Sequence, residues 1–353
     1  MKIVFCGLSI TSSWGNGHAT NYRALVRELT ARDHDVLFLE RDMPWYAAQR
    51  DLPHPPWGRT ALYDSLEELE EHAADVAAAD LVVVGSFVPE GVAVAEWVLE
   101  RAGGAVAFYD IDTPVTVGKL RRGDAEYLSP ELVGSFDLYL SFTGGPTLRV
   151  LEEEFGARRA RAFYCLVDPE AYRPTEETPY WDLGYLGTYS DDRQPVLERL
   201  LVEPARLRSE EDFVVAGPQY PEEIEWPQNV ERIEHIAPAD HPAFYASQRF
   251  TLNVTRAEMR AAGWSPSVRL FEAAACAVPV ISDRWEGLDQ IFTPGEEILV
   301  ADSAEDVVGY LAEAWEDERQ AIGERARARV LAEHTAERRC EQLEQEVTRL
   351  VAV

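Results

Sequence analysis

Short apolar runs alternate with segments of helical periodicity along the first half of the chain. The opening run at 2–7 predicts a strand, and apolar residues at helical spacing predict a helix over 18–32. The same alternation predicts strands at 35–40, 81–84, 105–109, 138–142 and 160–166, and helices at 65–78, 89–101 and 146–155. Because these strands are apolar on both faces, the pattern is typical of parallel sheets covered by helices.

A polar segment with three prolines at 167–179 interrupts this pattern, which then restarts. Strands are predicted at 183–186, 213–216, 230–233, 250–254 and 278–282, and helices at 194–201, 242–247 and 267–276. We therefore predict two α/β domains at 1–168 and 181–334, joined by a linker at 169–180 and followed by a helix at 335–353. A ligand is expected in the cleft between the domains, at the carboxyl ends of the strands.

The net charge of the chain limits which classes of molecule it is expected to bind. The 353 residues carry 63 acids and 33 bases, which gives a formal net charge of -30. A nucleic acid is not an expected partner, because phosphate binding needs clustered positive charge. No apolar run approaches the roughly 20 residues of a membrane helix, so no transmembrane segment is expected. Four isolated cysteines are expected to be reduced thiols of a cytoplasmic protein: Cys6, Cys165, Cys276 and Cys340.

The segment at 263–281 carries the most informative polar residues. Ser265 and Ser267 are candidates for the N-cap of the helix at 267–276, and Arg269 lies in its first turn. The free amide groups of a helix start attract anions such as phosphate. An ordinary capping role is the alternative.

Glu272 lies on an apolar stripe of that helix. A buried carboxylate costs several kcal/mol unless it is protonated or hydrogen-bonded. One interpretation is an ion pair with Arg269 or with a distant arginine. The other is that Glu272 binds two hydroxyls of a ligand, such as the diol of a ribose.

The loop after the first predicted strand contains Gly15, Asn16 and Gly17 and leads into His18. Glycines allow a backbone to approach a ligand closely, although the spacing does not match the dinucleotide-binding fingerprint. Imidazole titrates near neutrality, so His18 could bind a substrate or act as a base. A helix-terminal histidine in contact with solvent is the alternative.

Asp110 and Asp112 follow the strand at 105–109. Acids at the carboxyl end of a strand commonly point towards a ligand, so Asp112 is a candidate to accept a substrate proton or hydrogen bond. Capping of the loop is the alternative. No metal-binding cluster stands out, and no metal is assigned.

The sequence Phe-Glu-Ala-Ala-Ala-Cys-Ala-Val-Pro-Val-Ile-Ser at 271–282 resembles the second half of the Glu-x7-Glu signature of GT-B glycosyltransferases, especially those of family 4. Three further segments also resemble that family: 166–174, 186–190 with Arg193, and 286–298. The stretch 181–335 is most similar to the CgeB-like (spore-maturation-protein-like) branch.

The resemblance implies a GT-B fold, with two Rossmann-like domains facing across a cleft and the last helix packed back on the first domain. It implies transfer of a sugar from a nucleotide-diphosphate donor, most simply a UDP-sugar, to an acceptor held by the first domain. It also implies a retaining, metal-independent reaction without a cofactor.

The resemblance also assigns roles to residues. Glu272 would bind the ribose. Arg193, just past a strand-end loop, is the best candidate for the diphosphate because a planar guanidinium can bind two phosphate oxygens, and a surface salt bridge is the alternative. The other expected donor-binding residues are Gly187, Tyr189, Ser265, Ser267 and Arg269. His18 and Asp112 would be catalytic, and the remaining contacts with donor or acceptor would come from Gly15, Asn16, Gly17, Asp110 and Trp264.

Trp264 departs from the family signature. It occupies the position of the first signature glutamate, which touches the donor sugar in the family. The identity of the sugar is therefore open. Two alternatives also stay open: a nucleotide-sugar 2-epimerase on the same fold, and a catalytically inactive sugar-binding or scaffold protein.

Overall fold

The computed structural model describes residues 1–14, 17–313 and 316–351. The chain forms two compact units. The first contains Met1–Leu166 together with Ala336–Val353, and the second contains Val167–Thr335. The predicted linker at 169–180 therefore lies within the second unit.

The first unit is built on a seven-stranded sheet with the order β3-β2-β1-β4-β5-β6-β7. Every neighbouring pair is parallel. The strands are β1 (Lys2–Gly7), β2 (Asp35–Arg41), β3 (Arg59–Tyr63), β4 (Leu81–Gly85), β5 (Ala105–Asp110), β6 (Leu138–Ser141) and β7 (Ala160–Ala162).

Nine helices of this unit are described. They are α1 (His18–Ala31), α2 (Pro44–Ala47), α3 (Leu66–Leu69), α4 (Ala73–Ala77), α5 (Gly91–Arg101), α6 (Thr113–Arg122), α7 (Pro130–Val133), α8 (Pro146–Glu153) and α17 (Ala336–Val351). Helix α17 packs on α1, where Glu344 pairs with Arg32 at 2.7 Å.

The second unit has a six-stranded parallel sheet with the order β10-β9-β8-β11-β12-β13. Its strands are β8 (Trp181–Leu186), β9 (Phe213–Ala216), β10 (Val230–Ile233), β11 (Gln248–Asn253), β12 (Val280–Ser282) and β13 (Leu299–Val300). Its helices are α9 (Gln194–Leu197), α10 (Glu203–Leu207), α11 (His241–Ala246), α12 (Ala257–Ala262), α13 (Val268–Ala275), α14 (Leu288–Ile291), α15 (Ala304–Glu313) and α16 (Glu316–Glu333).

Both sheets reverse their strand order at one point, between β1 and β4 in the first unit and between β8 and β11 in the second. The prediction of parallel α/β sheets is confirmed. The all-apolar strands are buried on both faces, as in β4, where all five residues are buried. Ligands of such sheets bind outside the carboxyl ends of the strands at the reversal point.

The structure differs locally from the prediction. The helix predicted at 65–78 is divided into α3, a 3₁₀ turn at Glu70–His72 and α4. Strand β3 and helix α6 were not predicted. β3 is an edge strand with only one buried residue, so its apolar pattern is weak. α6 begins at Thr113 and Pro114 and ends after ten residues at Gly123, which has φ 69°.

Candidate functional site

Arg269 lies at the reversal point of the second sheet. Its Nε donates to the carbonyl of Leu186 at 2.6 Å, and its Nη1 donates to the side-chain oxygen of Asn253 at 3.0 Å. These two partners are the last residues of β8 and β11. The guanidinium also lies over the ring of Tyr185, 4.7 Å from its centroid. Helix α13 therefore places a positive charge between the two central strand ends.

Ser267 is the N-cap residue of α13, as predicted, but its side chain does not cap the helix. Its hydroxyl donates to Asn253 Oδ1 at 2.7 Å instead. Ser265 is buried just before it. The first turn of α13 has no acidic residue, so the partial positive charge of the helix start is not compensated there.

Gly187 allows two loops to meet at this edge. A Cβ on Gly187 would lie 2.9 Å from Nη2 of Arg269, and a Cβ on Gly217 would lie 2.1 Å from the carbonyl oxygen of Gly187. Gly217 also has φ 138°, which a side chain would strain. Tyr220 donates its hydroxyl to the same carbonyl at 3.1 Å. The loops after β8 and β9 thus pack backbone against backbone.

Arg193 braces the loop after β8. It is the N-cap residue of α9, and it donates from Nη2 to the carbonyl of Thr188 at 2.6 Å and from Nε to Ser190 Oγ at 3.0 Å. Tyr189, in the same loop, donates its hydroxyl to Asp191 at 2.6 Å. The structure therefore brings Gly187, Tyr189 and Arg193 together on one loop.

Arg232 of β10 is a residue that the sequence analysis missed. Its guanidinium lies between two rings, 4.1 Å from the centroid of Tyr220 and 5.2 Å from that of Trp226. It donates to the carbonyls of Val215 and Gly217. Burial raises the pKa of Tyr220, and the positive charges of three nearby arginines oppose that shift: Arg232, Arg193 and Arg269. Three guanidinium groups thus converge on this edge of the sheet.

Glu272 is 8% exposed in the second turn of α13. Its Oε2 accepts a hydrogen bond from the hydroxyl of Tyr245 at 3.2 Å. Burial raises the pKa of Tyr172, and the negative charge of Glu272 raises it further. Glu272 therefore faces phenol groups. The structure does not show the alternative ion pair between Glu272 and Arg269, because the guanidinium of Arg269 donates to Leu186 and Asn253.

Trp264 forms part of a sharp turn before α13. Its φ of 42° is unusual for a residue with a side chain, and its N–H donates to the carbonyl of Glu286 at 2.6 Å. A Cβ on Gly287 would lie 2.5 Å from the indole ring, so the ring packs directly on that glycine. The position of the first signature glutamate is therefore filled by a packed aromatic ring.

Asp283 follows β12 at the same edge of the sheet and was also missed. Its Oδ1 accepts hydrogen bonds from the N–H and the hydroxyl of Thr255, at 3.0 and 2.8 Å, whereas Oδ2 is buried without a partner. Burial raises the pKa of Asp283 to about 6, against the lowering effect of these bonds.

In the first unit, Glu40 organises the loop after β1. This fully buried carboxylate lies one residue before the end of β2 and accepts from the N–H groups of Ile10 and Thr11 at 2.7 and 3.0 Å. It also accepts from the hydroxyls of Ser9 and Thr11 at 3.1 and 2.6 Å. Glu40 was not predicted, because nothing in the local sequence shows which distant loop a strand-end acid reaches.

His18 begins α1, with its ring edge-on to Phe87 at 5.6 Å. Burial lowers the pKa of His18 to about 4. Its Nδ1 is buried without a hydrogen-bond partner. Gly17 is the N-cap residue of α1, and the predicted Gly15 and Asn16 lie outside the described residues.

Asp110 turns its carboxylate into the interior of the first unit. It is fully buried, and its carboxylate accepts from Thr116 Oγ1 at 2.7 Å, Tyr139 Oη at 2.5 Å and the N–H of Asp112 at 3.2 Å. Burial raises the pKa of Asp110 to about 6, although these hydrogen bonds lower it. Asp112 is half-buried and is the N-cap residue of α6.

Among the described residues, no three His, Cys, Asp or Glu side chains are grouped so that they could hold a metal ion. Within 1–14, 17–313 and 316–351, no helix has both the length and the apolar character needed to cross a bilayer.

Comparison with known proteins supports a glycosyltransferase enzyme. Residues 193–345 match the family model described as glycosyl transferase-like, a segment that contains Arg193, Arg232, Arg269 and Glu272. No curated protein sequence matches the chain.

Solved structures match the chain over its whole length. Sucrose-phosphate synthase from Thermosynechococcus elongatus is 15% identical, with 100% of both chains covered and a TM-score of 0.71. Anabaena HepE in complex with UDP and glucose is 13% identical, with 99% of both chains covered and a TM-score of 0.70. A glycosyltransferase involved in avilamycin A biosynthesis is 15% identical, with 100% of this chain and 98% of that chain covered and a TM-score of 0.63. The chain has the GT-B fold.

Proposed function

We propose that the protein transfers a sugar from a UDP-sugar to an acceptor, and that the second unit binds the donor. The observation that carries this proposal is the convergence of Arg269, Gly187 and the start of α13 at the reversal point of the second sheet. The HepE structure, which shares the fold, contains UDP and glucose. The motif at 271–282 supports a family-4-like enzyme, and the stretch 181–335 supports the CgeB-like branch.

Positive charge suits this edge to a diphosphate. Arg193 and Arg269 supply guanidinium groups, and the uncompensated start of α13 adds its partial charge. Gly187 lets a ligand approach the backbone closely. The carboxylate of Glu272, held by Tyr245, would accept hydrogen bonds from the ribose hydroxyls.

In the proposed reaction, the bond between the anomeric carbon and the β-phosphate oxygen breaks and UDP leaves. The acceptor oxygen bonds to the anomeric carbon and passes its proton to the departing diphosphate. The arginines and the helix start stabilise the charge that develops on the leaving diphosphate, so we propose a metal-independent reaction. Retention of configuration follows the family resemblance.

The first unit would hold the acceptor, near His18 and Asp112. With a pKa of about 4, His18 is neutral at pH 7 and offers its unpaired Nδ1 as a hydrogen-bonding group rather than as a charge. A nucleic acid is not the acceptor we propose, because the chain has a net charge of -30. We place the activity in the cytoplasm, in keeping with four buried free cysteines.

Calorimetry with UDP, GDP and ADP tests the donor site. We expect UDP to bind most tightly, and Arg269→Gln to weaken UDP binding at least tenfold. Arg208→Gln is the matched control, since Arg208 pairs with Glu211 elsewhere in the second unit. Failure of all three nucleotides to bind the folded wild-type protein would contradict the proposal.

Product analysis tests the reaction itself. Incubation with a UDP-sugar and a mixture of acceptors is expected to release UDP and to form a new glycoside. Formation of a 2-epimerised sugar from the donor alone would instead establish the epimerase. Tight binding of UDP without turnover across many acceptors would favour an inactive sugar-binding protein.

A further inference from the structure

A series of buried polar side chains leads away from Arg269 along the carboxyl edge of the second sheet. It consists of Asn253 at the end of β11, Thr255 just after it, Ser282 at the end of β12 and Asp283. Asn253 and Ser282 are fully buried, and Thr255 and Asp283 are each 2% exposed. We call these four residues the polar relay. Buried polar groups are costly unless they are hydrogen-bonded, so each donor here needs an acceptor.

The polar relay begins at Asp283, which takes up the protons of two hydroxyl groups. Its Oδ1 accepts from the N–H and the hydroxyl of Thr255 at 3.0 and 2.8 Å. Its main-chain carbonyl accepts from the hydroxyl of Ser282 at 2.9 Å. A hydroxyl has one proton to donate, so both hydroxyls can only accept a hydrogen bond from the next side chain, Asn253.

The two hydroxyls fix the orientation of the Asn253 amide. Its Nδ2 donates to Thr255 Oγ1 at 3.2 Å and to Ser282 Oγ at 3.0 Å, which uses both of its N–H bonds. Its Oδ1 therefore faces α13, where it accepts from Ser267 Oγ at 2.7 Å and Arg269 Nη1 at 3.0 Å. A flipped amide would turn its NH₂ group against the guanidinium, donor against donor. The hydrogen bonds of the polar relay thus admit one orientation.

The orientation of this amide determines where the charge of Arg269 lies. The amide oxygen holds Nη1, and the carbonyl of Leu186 holds Nε at 2.6 Å, so the guanidinium is fixed at two points. Its third nitrogen, Nη2, lies beside Gly187, where a Cβ would be 2.9 Å away. Because Asn253 is neutral, it orients the guanidinium without cancelling its charge, as a carboxylate at that position would.

We infer that Thr255 and Asp283 are positioning residues of the donor site, which orient Arg269 towards the diphosphate through the amide of Asn253. Neither residue touches the donor in this role. The carboxylate of Asp283 reaches Arg269 only through neutral side chains, so an acid can lie at this edge without forming an ion pair with the guanidinium. The inference rests on the proposed function, because it assigns the diphosphate to Arg269.

Calorimetry with UDP and UMP on Thr255→Val tests the inference. Valine keeps the shape of threonine but removes the hydroxyl that accepts from Asn253. We expect UDP affinity to fall by about fivefold or more, and UMP affinity, without a β-phosphate to lose, by less than about twofold. Thr255→Ser keeps the hydroxyl and should bind UDP as the wild type does. Thr251→Val, which removes a fully buried hydroxyl of β11 that donates to Gly184, is the matched control and should change neither affinity.

A double variant separates positioning from a general contribution to the fold. In the Arg269→Gln background, Thr255→Val should change UDP affinity by less than about twofold, because the polar relay acts through the arginine. Urea unfolding of the same samples should show similar losses of stability in Thr255→Val and Thr251→Val, although only the first loses UDP affinity. Asp283→Ala should show the same selective loss, and if it does not fold, the two Thr255 variants decide the question.

Three results would overturn the inference: unchanged UDP affinity in Thr255→Val, equal losses for UDP and UMP, or an undiminished effect of Thr255→Val in the Arg269→Gln background. The wild-type protein separates the two proposals. If it binds UDP and Thr255→Val binds it equally well, only the role of the polar relay is removed. If the folded wild type does not bind UDP, the donor site is removed as well.

Discussion

The carboxyl edges of the two sheets share a strand order but differ in charge. In the first unit, carboxylates collect donors: Glu40 accepts from backbone N–H groups and hydroxyls, and Asp110 accepts from Thr116 and Tyr139. In the second unit, guanidinium groups collect backbone carbonyls, as Arg269 does at Leu186 and Arg232 at Gly217. The second unit has one exception to this pattern, the carboxylate of Asp283, which accepts from the hydroxyl of Thr255.

This difference shows how one topology can serve two kinds of ligand. The parallel sheet fixes where a ligand binds, and the side chains that brace the loops decide which charge it meets. An edge braced by arginines suits a nucleoside diphosphate. An edge braced by buried acids suits one less well.

The largest effect is expected from Glu40→Gln. The amide would keep one acceptor oxygen and would turn an NH₂ group towards donors, so several hydrogen bonds to a charged acceptor are lost. We expect the free energy of unfolding to fall by about 4 kcal/mol in urea titrations. Glu100→Gln, at a side chain that is 74% exposed, is the control and should change it by less than about 0.5 kcal/mol. Equal stabilities of the two variants would show that the first edge does not depend on its carboxylate.

Glu272→Ala should weaken UDP binding by about 3 kcal/mol, through the loss of two hydrogen bonds to a charged acceptor. Calorimetry with UDP and with 2′-deoxy-UDP checks this, because the variant should also lose discrimination between the two. Glu198→Ala, which removes a surface partner of Arg206, is the matched control. Unchanged affinity in a folded Glu272→Ala protein would exclude the ribose role.

Asp110 should make stability depend on pH. In the folded protein the carboxyl of Asp110 has a pKa of about 6, whereas its ordinary pKa is 3.8. The stability that its protonation contributes is therefore complete below pH 3.8 and is lost as the pH rises through 6. The stability of the wild type relative to Asp110→Asn should therefore fall by up to about 3 kcal/mol between pH 4 and pH 7. Urea unfolding at several pH values measures this, and a pH-independent difference would contradict it.

The smallest effect is expected from Arg193→Ala, because this side chain is only half-buried. We expect a loss of about tenfold, or about 1.4 kcal/mol, in UDP affinity and a smaller loss for UMP, which lacks the β-phosphate. Arg206→Ala, at an exposed arginine of the same unit, should change neither. Equal losses for UDP and UMP would mean that Arg193 acts on the loop and not on the diphosphate.

The local sequence predicted helices and strands well where consecutive residues of the element are buried. The helix predicted at 267–276 is observed as α13, Val268–Ala275, because its apolar stripe and its start signal agree. The Pro- and Trp-rich stretch at 44–57 has no periodicity that predicts an element, yet Pro44–Ala47 is helical. There the single buried Tyr46 fixes a short turn that no periodicity announces.

The candidate site was predictable only in part, because contacts between distant residues decide it. The sequence places Asp110 at a strand end, but it does not show that Tyr139, 29 residues away, binds its carboxylate in the interior. Arg232 could not be predicted for the same reason, because its partners are the carbonyls of Val215 in the neighbouring strand β9 and of Gly217 in the loop that follows it. A strand-end residue can be placed at an edge from sequence, but the direction of its side chain cannot.

Helix α17 gives the protein an unusual order of assembly. It returns to the first unit, where Gln342 donates to the carbonyl of Ala162 at 2.6 Å and Arg339 to that of Tyr164 at 2.9 Å. Removal of residues 336–351 would therefore damage the unit that begins at Met1, although these residues follow the whole second unit in the sequence.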